Sequence, residues 1–309
     1  MYSEFIEIPF LHKMAFYYSW NGWRGSSIAW RLVKALKKPN EGVFVQTPTG
    51  FPLKVNSSDY ISRTIYEGTF ERNLLHFGES LVLNHNIIDI GANLGVILFH
   101  ASKHADKNAS FIAFEPSPYC SKALELTIST LKQSGKVFRT AIGSKNEEME
   151  IYGLGNPLHS GAASLGSSYS HLNSSRVEVR TIDDFFPSLI QNKPISFLKI
   201  DVETYEPEVI NGGLITFKSG IIEVGVIEIT PATGYLGHLS ILQELLSGNY
   251  IWFHLSSKGF VRKRPCLVEI DLKTALKLTK QWNLVFIRED IYQKYKISQK
   301  ALAIISKSH

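Results

Sequence analysis

Residues 87–95, Ile87-Ile88-Asp89-Ile90-Gly91-Ala92-Asn93-Leu94-Gly95, constrain the fold more than any other stretch. An apolar run of strand length breaks at glycine and reopens as a helical pattern. Gly91 is placed for a turn conformation that side chains resist, and Gly95 for close approach of backbone to backbone or ligand. Downstream, short apolar runs alternate with helical segments. Strands are expected at 86–90, 110–114, 137–142, 176–181, 195–200, 221–229, 250–255 and 283–288. Helices are expected at 94–103, 118–131, 182–189, 206–217 and 238–246. Helical crossovers imply a mostly parallel sheet with helices on both faces, a Rossmann-like α/β fold. The last two strands can pair antiparallel, with 257–281 inserted between them.

Ligands of such sheets bind at the carboxyl ends of the strands. A dinucleotide fingerprint needs Gly-x-Gly-x-x-Gly to seat a pyrophosphate. Gly91, Asn93 and Val96 occupy those positions, which disfavours an NAD-dependent oxidoreductase. Asp89 would repel a pyrophosphate and suits an ammonium or sulfonium group, as in S-adenosylmethionine. Glu115, in Ala113-Phe114-Glu115-Pro116, stands where a carboxylate can accept from both ribose hydroxyls. Thr140-Ala141-Ile142-Gly143 closes the third strand; Ala141 and Ile142 suit an adenine flank or ordinary core equally well.

Charge narrows the partners. The chain has 33 basic and 28 acidic residues, a net +5 spread along its length. Carboxylates at strand ends would repel phosphate, so nucleic acid is disfavoured, and a non-catalytic or RNA-associated S-adenosylmethionine-binding module is the alternative reading. The two cysteines, Cys120 and Cys266, have neither metal-type spacing nor enough partners for a disulfide framework. No apolar run reaches the roughly 18 residues of a membrane span. The N-terminus lacks a basic segment followed by an apolar one, and a cytoplasmic enzyme is expected.

Residues 1–85 are expected to form a preamble, and 86–309 the cofactor-binding domain with a C-terminal extension. Within the preamble, 26–38 reads as a basic amphipathic helix: Ile28, Leu32, Val33 and Leu36 are apolar, Arg31, Lys34, Lys37 and Lys38 charged. Trp20, Trp23 and Trp30 lie before or inside it. Two readings stand: peripheral membrane contact through 20–38, or a helix packed on the main domain. Strand-like runs at 42–46 and 51–55 precede a helix expected over 57–77.

Were the methyl group of such a donor to pass to a hydroxyl, a proton acceptor would be needed nearby. Asp201, ending a buried strand on the ligand edge, is the leading candidate. Glu203 and Glu206 follow in the next turn, and Glu228 lies near the end of the neighbouring strand. Paired carboxylates can raise one another's pKa or hold a divalent cation. A metal is not favoured, because Ile229 and Thr230 stand where catechol-type enzymes continue with Asp-Asn. Glu206 reads as a helix N-terminal acid. His159, His171 and His238 are further bases by position. The glycine- and serine-rich stretch 153–175 is expected to close over the acceptor, with Ser164 among its contacts.

In combination these segments resemble the FkbM family of methyltransferases. The matching pieces are Tyr66-Glu67-Gly68-Thr69-Phe70-Glu71, Asp89 to Gly95, Ala113 to Pro116, Ala141-Ile142-Gly143, Gly161 to Leu165 and Val179 to Asp184. Phe197-Leu198-Lys199-Ile200-Asp201-Val202-Glu203-Thr204-Tyr205-Glu206, followed by Glu208 to Gly213, is the strongest. Thr204 stands where the family usually has glycine. The resemblance implies a class I methyltransferase fold and O-methylation of sugars or natural products. It would set Asp89, Gly91, Asn93 and Gly95 along the methionine part, with Ala92 in the same turn. Glu115, beside Pro116, would meet the ribose, and Glu71 would approach from the preamble.

Overall fold

A computed structural model describes residues 5–36, 42–152, 174–231, 235–246 and 248–297. The preamble comprises α1 (Phe10–Trp20), α2 (Ser26–Leu36), an antiparallel pair β1 (Phe44–Gln46) and β2 (Pro52–Lys54), α3 (Tyr60–Glu67) and α4 (Arg72–Ser80). Helix α1 is absent from the sequence expectation. It buries Phe16 and Trp20 while exposing Phe10 and Met14, so apolar residues on several sides blur its period. The single helix expected over 57–77 is two. Gly68 ends α3 in the left-handed region at φ 69°, and Glu71, at φ 34°, precedes α4.

The α/β core then follows as β3 (Asn86–Ile90), α5 (Val96–Ser102), β4 (Ser110–Phe114), α6 (Pro118–Ser129), β5 (Ser134–Phe138), β6 (Ala141–Ile142), β7 (Glu147–Tyr152) and β8 (Ser174–Arg180). It continues with α7 (Ile182–Ile190), β9 (Ile195–Ile200), α8 (Glu206–Asn211), α9 (Leu214–Lys218), β10 (Val224–Ile229) and α10 (Tyr235–Leu245). The last elements are β11 (Tyr250–Lys258), β12 (Arg264–Glu269), α11 (Leu272–Ala275), β13 (Trp282–Arg288) and α12 (Glu289–Ile297). The main sheet has eight strands in the order β12-β11-β13-β10-β9-β3-β4-β5. Strands β5, β4, β3, β9 and β10 run parallel; β13 joins β10 antiparallel, and β11 and β12 continue antiparallel. This is the Rossmann-like fold expected. Strand order reverses between β3 and β9, which opens a crevice at their carboxyl ends.

Two further expectations are corrected, and the antiparallel pairing of the last two expected strands, β11 with β13, is borne out. The strand expected over 137–142 divides, because β6 leaves the main sheet to pair with β8 in a separate three-stranded sheet, β6-β8-β7. The helix expected over 206–217 divides at Gly212-Gly213, where a Cβ on Gly212 would sit 1.9 Å from the Gly143 carbonyl oxygen. The insertion 257–281 is structured: it adds β12 to the sheet edge and carries α11. Ser164, His159 and His171, with most of the 153–175 stretch, lie outside the described residues, as do Lys37, Lys38 and the side chain of His238.

Alternation along the strands sends neighbours to opposite faces. Ile87, Phe111 and Phe197 join Phe16, Trp20, Leu74 and Leu98 in one apolar cluster, so preamble and sheet share a core. Ile88, Ile112 and Leu198 join Phe186, Val209 and Phe217 in the other. The sheet is thereby covered on both faces, and only its strand ends are left to face a ligand.

Candidate active site

The turn after β3 is built by hydrogen bonds to neighbouring strands. Gly91 and Ala92 both donate to the Phe114 carbonyl, at 3.0 and 3.1 Å, and Asp201 donates to the Ile90 carbonyl at 3.0 Å. Gly91 has φ 78°, and a Cβ there would lie 1.8 Å from the Asp201 carbonyl oxygen. No other residue fits without moving β9. Asn93 and Gly95 are also left-handed, which delays the helix to Val96.

A cavity of about 260 Å³ opens at this edge. Its walls include Glu71, Gly91, Ala92, Asn93, Glu115, Pro116, Ala141, Ile142, Asp201, Glu203 and Glu228. The structure thus brings together eleven residues singled out from the sequence. Asp89 and Gly95 are the exceptions. Asp89 is fully buried behind the turn, and Gly95 packs against α6, where an added Cβ would lie 2.6 Å from Leu124 Cδ1.

Sequence reasoning missed Lys199, the one charged side chain in the wholly buried β9, whose other residues are apolar except Ser196. Its Nζ lies 3.4 Å from Asp89 Oδ1, 3.2 Å from Asp201 Oδ2 and 3.4 Å from the Gly91 carbonyl oxygen. Burial opposes its charge, but Asp201 and Asp89 outweigh burial and hold the ammonium above its ordinary range. Asp89 is pushed upward by burial, against the pull of Lys199. The available signal was a lysine inside a run that should be purely apolar.

The remaining carboxylates divide by environment. Glu115 accepts the Asn93 amide on Oε2 and the Ser117 amide on Oε1, both at 2.8 Å. Burial nonetheless pushes it up to about 7. Glu203, at φ 53°, is pushed up to about 7 by burial and then by the charges of Asp201 and Glu206. Glu228 is raised by burial and by its neighbour Asp201, with which it hydrogen-bonds. Glu71 is raised by burial and by Asp201, while Asn283 Nδ2 donates to its Oε2 at 3.4 Å. Glu206, 1% exposed, accepts the Val202 amide at 2.8 Å, a structural use of its charge.

Carboxylate oxygens of Asp201, Glu206 and Glu228 lie within 4.8 Å of one another, close enough to share a cation. Lys199 already supplies positive charge at Asp201, and Glu206 is committed to the Val202 amide. The cavity wall carries five carboxylates (Glu71, Glu115, Asp201, Glu203 and Glu228) against one lysine. That donor set suits a cationic, hydroxyl-rich ligand and opposes a pyrophosphate.

The profile of the methyltransferase FkbM domain matches residues 89–252, more than half of the chain. A search of curated proteins finds no match. Among solved structures, a human methyltransferase 10 domain containing protein is similar at 11% identity and a TM-score of 0.40, covering 84% of this chain and 96% of that one. A SAM-dependent O-methyltransferase from Thermotoga maritima has 13% identity and a TM-score of 0.38, covering 83% and 81%. A precorrin-6Y C5,15-methyltransferase from Geobacter metallireducens has 11% identity and a TM-score of 0.37, covering 71% and 89%. None of these three likenesses bears on what this chain methylates. The glycine turn, the Glu115 wall and the β9 end all fall within the matched span, and the chain belongs to the FkbM family of methyltransferases.

Proposed function

We propose that the protein transfers a methyl group from S-adenosylmethionine to a hydroxyl of a sugar, glycan or similar small acceptor, with Glu203 taking the proton. The observation that carries this is the carboxylate wall: Glu115 and Glu203 are both raised to about 7, Glu115 already accepts two backbone amides at the glycine turn, and Glu203 stands beside Asp201, whose charge Lys199 engages. Family membership implies S-adenosylmethionine as the cofactor. When bound, it supplies the methyl on a sulfonium, an excellent leaving group.

The turn Gly91-Ala92-Asn93 and Glu115 would hold the donor. Both Glu115 oxygens accept a backbone amide, yet each can take a further hydrogen bond from a ribose hydroxyl. Pro116, Ala141 and Ile142 give the adenine an apolar flank. Lys199 holds Asp201 and Asp89 in place, so Asp201 serves to fix the wall and to raise Glu203 and Glu228. This moves the proton acceptor from Asp201, the first candidate by sequence, to Glu203. Glu228, raised by burial and then by the same charge, already shares a hydrogen bond with Asp201 and so lines the wall as its partner. Alignment of acceptor oxygen with the methyl carbon is the larger task, on the order of 10⁵–10⁸ M in effective molarity for well-oriented groups.

The test is transfer of a labelled methyl group to sugar and lipid-linked glycan pools, followed by kinetics on the acceptor found. Glu203→Gln should lower kcat by roughly 10²–10⁴-fold while leaving donor affinity near wild type. The wild-type rate should rise with pH through about 7, where Glu203 loses its proton, and the variant should lack that limb. The raised pKa also means the fold binds that proton more tightly than the unfolded chain. Stability therefore falls as pH climbs from the usual carboxylate range to about 7. Full activity in Glu203→Gln removes the assigned role.

A further inference from the structure

Outside the active site, the preamble and the β11–β12 turn leave large apolar side chains in water. On α1, Phe10, Met14 and Tyr17 recur at helical spacing and are all exposed, Phe10 at 74%. On α2, Trp30 is buried and Ser26–Leu36 packs through that side, but Ile28 and Leu32 face outward at 61% and 64%. At the hairpin turn, Phe260 is 79% exposed and Val261 lies beside it.

The connection between α1 and α2 is tied to this turn. The Arg24 amide donates to the Val261 carbonyl at 3.0 Å, and the Lys263 amide to the Gly22 carbonyl at 2.8 Å. The Arg24 guanidinium lies 4.3 Å from the Phe260 ring centroid. Residues 5–36 and 258–264 together hold eight lysines and arginines and a single acid, Glu7. Monomeric proteins rarely expose large apolar patches without a use for them.

We propose that this face docks on an anionic lipid bilayer, with its apolar side chains at the headgroup–acyl boundary and its basic side chains on phospholipid head groups. Charge selects the occupant. Two copies meeting through this face would bring like-charged rims together. A phosphate backbone would use the arginines but leave Ile28, Leu32, Met14 and Val261 without a partner. An anionic bilayer satisfies both features, and tyrosine and tryptophan at the rim, Tyr17, Tyr18 and Trp23, suit the interface depth. No helix among the described residues is long and apolar enough to cross a membrane, so the contact is peripheral.

The experiment is co-sedimentation of the full chain with phosphatidylcholine vesicles, with and without added phosphatidylglycerol. Binding is expected only with the anionic lipid. Lys263→Ser should weaken it about five-fold. The double variant Leu32→Glu, Phe260→Glu should weaken it about ten-fold or more while matching the wild-type thermal melt. Protein that stays in the supernatant with both vesicle types overturns the proposal, as does a well-folded double variant that binds like wild type. Sedimentation equilibrium showing a wild-type dimer that the double variant separates also overturns it, and assigns the face to a second copy.

Discussion

At the carboxyl ends of β3, β4, β9 and β10 the chain gathers carboxylates around one lysine in its interior. Along α1, α2 and the β11–β12 turn it leaves phenylalanine, leucine and isoleucine in water. Each region departs from ordinary burial in the opposite sense, and neither departure helps the fold. Buried charge costs stability unless it is paired, and exposed apolar area contributes nothing to the core. The interior charge is legible as chemistry because its geometry is closed: Lys199 spans Asp89 and Asp201, while burial and then the Asp201 charge bring Glu203 to about neutrality. The exterior patch is open, and its meaning comes from the charge around it.

The comparison can be broken at either end. The largest effect is expected at Lys199. Lys199→Met strands the fully buried Asp89 beside Asp201, and urea unfolding should show a loss of about 3–5 kcal/mol. Adding Asp89→Asn to that variant should recover much of it. A loss below about 1 kcal/mol would mean that Lys199 is not holding buried charge in place.

A smaller effect, of opposite sign, belongs to Thr204. This β-branched residue is held at φ 77° directly after Glu203 at φ 53°. Left-handed geometry costs a side chain roughly 1–2 kcal/mol, part of which glycine returns through its freedom when unfolded. Thr204→Gly should therefore raise stability by about 1 kcal/mol in the same unfolding assay. A destabilised variant would show that the threonine side chain makes contacts that outweigh its strain.

The smallest effect is expected on the outer face. Leu32→Glu should change stability by no more than about 0.5 kcal/mol, since the side chain meets no core. A thermal melt lowered as much as for a buried leucine would place that face inside the fold and end the contrast between the two regions.

The parallel sheet and the glycine turn were readable because both follow from short-range rules. Apolar runs set the strands, and Gly91 and Gly95 punctuate them. The cavity wall was readable for a related reason, since carboxylates that follow buried strands arrive at the same edge. The rest depended on long-range packing. Helix α1 has apolar residues on both its covered and its open sides, so its period carried no contrast. The break at Glu71 and the departure of β6 into a second sheet are fixed by neighbours distant in sequence. Lys199 sat inside the strongest motif and drew no attention, because its partners Asp89 and Asp201 meet it only once β3 and β9 pair.

Isothermal titration calorimetry of the wild-type protein with S-adenosylmethionine, and separately with NADH, addresses the strand-end crevice most directly. A saturable one-to-one heat with the sulfonium donor and none with NADH is predicted, and Glu115→Gln, if it melts like wild type, should weaken the donor by at least about ten-fold. A flat titration with S-adenosylmethionine, or tight uptake of NADH, would contradict the reading of this edge as a site for a cationic adenosyl donor.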